Sequence, residues 1–154
     1  MKKFFVIAAL FAISIATMAQ KYTARAKSPG EILNEQYATG LFKSADGTIF
    51  DIQNETIIAH FNILDWLEGR VAGLQVFVSR GGIRVPVIRG SVATIFVDEM
   101  RMDASYLNIL SVHDIAMIKV IKGPFAGAVG NGGGGTIAIY TMKGDDEEEE
   151  DEEG

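Results

Sequence analysis

The chain has 154 residues, with 14 basic and 20 acidic side chains for a formal charge of -6, which is enough for one compact domain and too little for a large machine. A composition of 48% hydrophobic and 22% charged residues excludes disorder throughout. The absence of Cys excludes disulfide scaffolds, thiolate metal sites, iron–sulfur clusters and thiol nucleophiles, leaving His60 and His113 as the imidazoles. The acids are uneven: nine of the twenty lie in the run from Asp145 to Glu153. Without that run and residues 1–19, the body holds 12 basic and 11 acidic residues, a net of +1. It shows no basic stripe with interleaved aromatics, which argues against a nucleic-acid binder.

In chain order, Lys2 and Lys3 precede the apolar run Phe4 to Ala16, and Thr17-Met18-Ala19 offers a small-x-small cleavage site. This is the pattern of a secretory signal peptide over residues 1–19, with an apolar run shorter than the roughly 20 residues of a spanning helix. An exported protein is the expectation, in a compartment without an ATP pool. Residues 20–40 are polar, with Ser28-Pro29-Gly30 as a turn signal, and read as an extended leader or linker with little fixed structure.

Asp46-Gly47 signals a turn, and Thr48 to Ile52 alternates as a strand. Phe61, Leu64, Leu67 and Val71 recur at helical spacing with Asp65 and Glu68 opposite, which predicts a short amphipathic helix over 61–70. Leu74 to Ser79 alternates as a strand, and Arg80-Gly81-Gly82 is a turn. Ile83 to Gly90 contains Pro86 and reads as an edge or irregular strand. Thr94 to Asp98 is strongly strand-like. Ser111 and Asp114 have capping spacing for a short helical turn, and Met117 to Lys122 alternates with Ile118 and Val120 on one face. A small-residue turn after Gly123-Pro124 and the run Gly130-Asn131-Gly132-Gly133-Gly134-Gly135 lead to the strand Thr136 to Thr141. The predicted class is α+β: a small mixed sheet with two or three short helices and long loops.

Five of these pieces, in order, resemble the plug domain of TonB-dependent outer-membrane receptors, particularly Bacteroidetes-type plugs. Leu67-Glu68-Gly69-Arg70-Val71-Ala72-Gly73-Leu74-Gln75-Val76 is similar to the family's helix-to-strand element, Ile88-Arg89-Gly90 to its "IRG", and Ile95-Phe96-Val97-Asp98 to its "hydrophobic-Val-Asp-Gly" strand. Asp114-Ile115 with Ile118 to Pro124, and the glycine run into Thr136 to Thr141, are similar to its closing segment. Leu41 to Asp46 resembles a lead-in found before some plugs. Three positions depart from the pattern: Glu99 where Gly is usual, Lys119 where an acid is common, and Val129 where Tyr often precedes Gly. The departures bear on plug-to-barrel contacts and not on the fold. The implied organisation is signal peptide 1–19, leader 20–40, plug-like domain 41–144 and a disordered acidic tail 145–154. The residues after Thr141 are too few for a barrel of even eight strands, so a stand-alone plug-like module is expected.

The resemblance implies a non-enzymatic protein-interaction module of outer-membrane nutrient uptake. It would sit in the periplasm or at the periplasmic face of the outer membrane, with a β-barrel receptor or a TonB-type protein as partner and no transmembrane span in the mature chain. Expected partner-binding residues are Arg84 and Arg89, which bracket Pro86 and carry guanidinium forks suited to carboxylates, and the glycines Gly130, Gly132, Gly133, Gly134 and Gly135. Gly130-x-Gly132-x-x-Gly135 has dinucleotide-fingerprint spacing, but a strand follows it instead of a helix, so a close-packed turn is expected and no cofactor. Glu55-Thr56-Ile57-Ile58-Ala59 looks like a TonB box, yet it runs straight into the predicted helix and reads better as a buried strand. Ser111, His113 and Asp114 are too close in sequence to converge as a triad and read as a cap with an exposed His. His60 has no companion at metal-ligand spacing. The second functional reading is a periplasmic binder of a small ligand, a sugar or a peptide, using the same loops.

Overall fold

The computed structural model describes residues 26–54, 61–130 and 133–143. In chain order they form α1 (Pro29–Tyr37), β1 (Thr48–Asp51), α2 (Ile63–Leu67), β2 (Leu74–Val78), β3 (Arg84–Ile88), β4 (Ser91–Val92), β5 (Thr94–Val97) and β6 (Met100–Met102). Two 3-10 turns follow, Ala104–Asn108 and Val112–Asp114, then β7 (Ile115–Ile121), α3 (Pro124–Val129) and β8 (Thr136–Thr141). One sheet has the order β1-β7-β8-β5-β6, and β2-β3-β4 form a second. β5 and β8 pair in parallel, whereas the other neighbours are antiparallel. The predicted α+β class with a mixed sheet is what forms. The signal-peptide segment, Glu55–Ala59, His60, Gly132 and the acidic tail lie outside the described residues.

β7 is buried along its whole length and β8 along all but Thr141, because each has a strand on both sides and cover on both faces. The period of two then sorts their side chains. Ile118 and Val120 point with Ile137 and Ile139 into one core, as predicted, and Met117 and Ile121 point with Ala138 and Tyr140 into a second. A buried Ile contributes about 1.5–3 kcal/mol, so these two strands supply much of the driving force for folding.

The first core is closed by α2 and the small sheet. α2 runs over Ile63–Leu67, shorter than the predicted 61–70, because Asn62 caps it: its side chain accepts from the Leu64 N–H at 2.9 Å and its Nδ2 donates to the Leu107 carbonyl at 3.0 Å. Leu64, Leu67 and Val71 are buried as the spacing requires, but Phe61 precedes the cap and is 97% exposed, so it does not join that face. Trp66 is fully buried edge-on to Phe50, ring centroids 5.7 Å apart, with the Arg70 guanidinium 4.3 Å from its ring.

The second core overturns the expectation of an unstructured leader. Ser28-Pro29-Gly30-Glu31 is a capping box and not a turn: Ser28 Oγ accepts from the Glu31 N–H, the Glu31 carboxylate accepts from the Ser28 N–H, and Pro29 takes the first helical position. Ala38 and Phe42 are buried here, with Leu33 and Tyr37 packed against them. The small-residue segment after Gly123 is likewise a helix, α3, which Pro124 starts and whose Ala126 is buried.

Pro86 sits in the middle strand of the small sheet, which differs from the predicted edge or irregular strand. It is accommodated because its backbone faces the short β4 side, where its carbonyl accepts from the Ala93 N–H at 2.8 Å, so its missing N–H is not required by β2. β4, β6 and the 3-10 turn Ala104–Asn108 are too short to show a period in the sequence.

Candidate partner-binding surface

Ile88 pairs with Ser91, which leaves Arg89 and Gly90 as a two-residue hairpin turn with φ of 55° and 80°. Positive φ at both positions is the type I′ pattern that fits strand twist. Gly takes the second position freely, but an L-residue such as Arg89 in left-handed conformation costs roughly 1–2 kcal/mol. The Arg89 side chain is exposed, and its Nη1 donates to the Lys122 carbonyl at 3.2 Å. Its backbone N–H reaches the Gly73 carbonyl at 3.3 Å, and Lys122 Nζ donates to the Ala72 carbonyl at 2.8 Å. Three loops, at residues 69–73, 89–90 and 122–123, are thereby joined.

The glycine run meets this hairpin from below. A Cβ on Gly134 would lie 2.3 Å from the Val92 carbonyl oxygen and 2.6 Å from that of Ser91, so only Gly lets the two backbones approach. Gly135 has φ of 84°, and its carbonyl accepts from the Thr94 N–H at 3.0 Å. Gly130 abuts Thr94, and Gly133 is exposed near Ser91. The Arg89 turn and the Gly133–Gly135 stretch, distant in sequence, therefore share one end of the molecule. Arg84 does not join them: its Nε donates to Asp65 Oδ1 at 2.6 Å, a partly buried pair that ties the hairpin to α2.

Lys119 and Glu99 stand out in the sequence as departures, and the structure shows what they hold. Lys119 is 2% exposed, on the β7 face that carries Met117 and Ile121, and its Nζ donates to Asn34 Oδ1 and the Phe42 carbonyl, each at 2.7 Å. Desolvation holds its pKa below the usual lysine range, against the attraction of Asp46. Glu99 adopts a φ of 64° in a turn with Asp98 at 48°. Its carboxylate accepts from the Thr39 N–H at 2.9 Å and the Leu41 N–H at 3.1 Å. The Tyr140 hydroxyl lies 3.4 Å from the same carboxylate, and burial first, then the Glu99 and Asp98 charges, push the phenol pKa well above its ordinary range. Lys143 Nζ adds a bond to the Gln36 carbonyl at 2.8 Å. The sequence signal for Lys119 is a lone cation inside an apolar alternating strand.

Ser111 Oγ accepts from the His113 N–H at 3.2 Å and caps the 3-10 turn, with His113 exposed, as predicted for a cap. Among the described residues, no group of three or more His, Asp or Glu could hold a metal ion, and no helix is long and apolar enough to cross a membrane. A cleft of about 690 Å³ lies between the small sheet and β5–β6, lined among others by Pro86, Val92, Ile95, Arg101 and Asp103.

A mixed sheet covered on one face by a short helix and a three-stranded hairpin sheet, and on the other by an N-terminal segment, is an α+β plug-domain-like fold. Among solved structures, the chain is similar to the RagAB peptide importer in its open-open state, with a TM-score of 0.54, 23% identity, and 66% of this chain matched to 12% of that one. It is also similar to the siderophore receptor PirA of Acinetobacter baumannii, with a TM-score of 0.53, 20% identity, and 77% of this chain matched to 19% of that one. The ferric enterobactin receptor PfeA of Pseudomonas aeruginosa gives a TM-score of 0.51 at 23% identity, 63% of this chain matching 17% of that one. The chain thus spans less than a fifth of the length of each. No family model and no curated protein matches the sequence.

Proposed function

We propose that this protein is an exported, non-enzymatic interaction module of outer-membrane nutrient uptake, a plug-like domain of the TonB-dependent receptor type. It acts in the periplasm or at the periplasmic face of the outer membrane. Its partner is an outer-membrane β-barrel or a TonB-type protein, which it meets with the Arg89–Gly90 turn and the glycine stretch beside it. Arg84 contributes by fixing the hairpin to α2 through Asp65. The observation that carries the reading is the convergence of the plug-like motifs: the "IRG" arginine stands in a costly left-handed turn, and the residues on either side of that turn, Ile88 and Ser91-Val92, are the ones Gly135 and Gly134 approach. The solved structures of similar fold are an importer and two siderophore or enterobactin receptors by name, which supports the same reading.

The test is affinity purification of the tagged mature protein from outer-membrane and periplasmic fractions, beside its Arg89→Glu variant. Recovery of an identified barrel protein or of a TonB-type protein by the parent, and its loss with the variant, is expected. A soluble monomer without partners overturns the proposal. The cleft of about 690 Å³, within the size range of small-ligand sites, favours a second reading as a sugar or peptide binder, although it is lined by Pro86, Val92 and Arg101 and not by Arg89 and the glycines expected to serve that role. That reading requires thermal stabilisation by one nutrient class.

A further inference from the structure

The sequence from Arg70 to Val97 holds four arginines and no acid, and that from Ile115 to Gly144 holds three lysines and no acid. The topology collects part of this charge at one end. β8 enters the sheet at Thr136 beside Thr94 and Ile121, so the loops that carry Arg89 and Lys122 flank its entrance. The bonds from Arg89 to Lys122 and from Lys122 to Ala72 join them to the loop of Arg70. Of the acids on the packed elements, Asp65 is paired with Arg84, whereas Glu68, which accepts from the Val76 N–H at 2.8 Å, and Asp46, two residues beyond the Thr48–Val120 pair, keep their charges, so Arg70, Arg89 and Lys122 exceed them by one.

The exit of β8 has the opposite sign. Asp98 accepts from the Thr141 N–H at 2.9 Å and from Thr141 Oγ1 at 2.8 Å, Glu99 lies beside Tyr140, and the Met142 N–H bonds the carbonyl of Asp114. Of the cations near it, Lys143 is turned onto the Gln36 carbonyl and the Tyr37 ring, and Arg101 lies on β6 opposite Phe96. The nine acids of residues 145–153 leave from this acidic pole.

We propose that the acidic tail of this chain docks, in cis, on the cationic end formed by Arg70, Arg89 and Lys122. The reach is sufficient: at about 3.3 Å per residue, Gly135 and Met142 stand roughly 23 Å apart, whereas the eleven residues 144–154 extend to about 36 Å. Tethering holds the tail at an effective concentration of order millimolar, so that contacts weak between separate molecules are populated within one. The docked tail covers the Arg89 turn and competes with any acidic partner, but the inference does not rest on the uptake role.

The experiment compares amide NMR spectra of the full mature chain with those of a chain in which every Asp and Glu of 145–153 is changed to Asn or Gln. The expected result is that, outside residues 142–154, whose shifts change with their own substitution, differences are confined to residues 69–73, 89–92 and 122–123, unchanged on dilution and lost at about 0.5 M salt, where the Debye length is only a few ångströms. Arg89→Gln and Lys122→Gln in the charged-tail chain should each reduce those differences. Lys122→Gln leaves the Arg89 turn intact and keeps the test decisive if the other variant fails to fold. Identical spectra outside residues 142–154, differences centred on residues 98–114, or differences that fade on dilution, as for the tail of a second copy, would each overturn the proposal.

Discussion

The two faces of the five-stranded sheet are closed by different physics. On one, α2 and the small sheet bury Trp66, Leu64, Leu67, Val71, Leu74 and Ile88 against Ile118, Val120, Ile137 and Ile139, so adhesion there is apolar area removed from water. That kind of packing is not directional and tolerates small shifts. On the other, Ala38 and Phe42 bury a smaller apolar cluster against Phe96, Met117 and Ile121, but α1 has no fully buried residue, and the segment 29–45 is also held by polar side chains: Lys119 to Asn34 and Phe42, Glu99 to Thr39 and Leu41, and Lys143 to Gln36. Bonds to named backbone groups fix a register, and each can be released singly. The apolar face should therefore carry global stability and the polar face local order.

The largest expected effect is on the apolar face. Trp66→Ala should cost about 3–5 kcal/mol, a large share of the roughly 5–15 kcal/mol available to a domain, and lower the urea midpoint followed by far-UV circular dichroism. Next is Gly134→Ala, whose methyl group would lie 2.3 Å from the Val92 oxygen. The hairpin must shift, at about 1–3 kcal/mol, with new amide shifts at Ser91 and Val92 while β7 is unmoved.

Lys119→Met sharpens the contrast. It strands the acceptors on Asn34 and Phe42, at about 1–3 kcal/mol, and should speed hydrogen exchange in 29–45 about tenfold to a hundredfold with little change in β8. Equal acceleration in both regions would show that the two faces unfold together. The smallest effect concerns Tyr140, whose folded pKa is raised above the ordinary phenol value of 10.0. Below that pH its contribution is fully present. Above it the unfolded chain loses the proton first, so stability falls as pH rises. Tyr140→Phe should remove this alkaline loss and leave the urea midpoint near neutral pH almost unchanged.

The strands that carry the apolar face are legible because each shows its period locally: Leu74 to Val78, Thr94 to Val97, and the two central strands. The polar face is hidden because its determinants are pairwise and distant. Ser28-Pro29-Gly30 reads as a turn until Glu31 is seen to reach back to the Ser28 N–H. Lys119 and Glu99 are visible as departures, but their partners lie in a stretch too polar to predict as structured. Phe61 shows the converse error, since helical spacing places it on a face that the Asn62 cap cuts off. Arg89 and the glycines can be singled out individually. Their meeting depends on the β3–β4 turn and on the Thr94 bond to Gly135, which no local pattern announces.

The position of β8 also governs the order of assembly. It is the last strand among the described residues, yet it lies third in the sheet, between β7 and β5. Until it arrives, the local hairpin β5–β6 and the pair β1–β7, whose partners such as Thr48 and Val120 are themselves far apart in sequence, are separate units, each with an open edge. Its parallel pairing joins Thr94 to Thr136, a contact of high sequence separation that forms slowly. A chain emerging amino-terminus first cannot close this sheet while β8 is still being made. Until that strand inserts, two strand edges of the sheet stay unpaired.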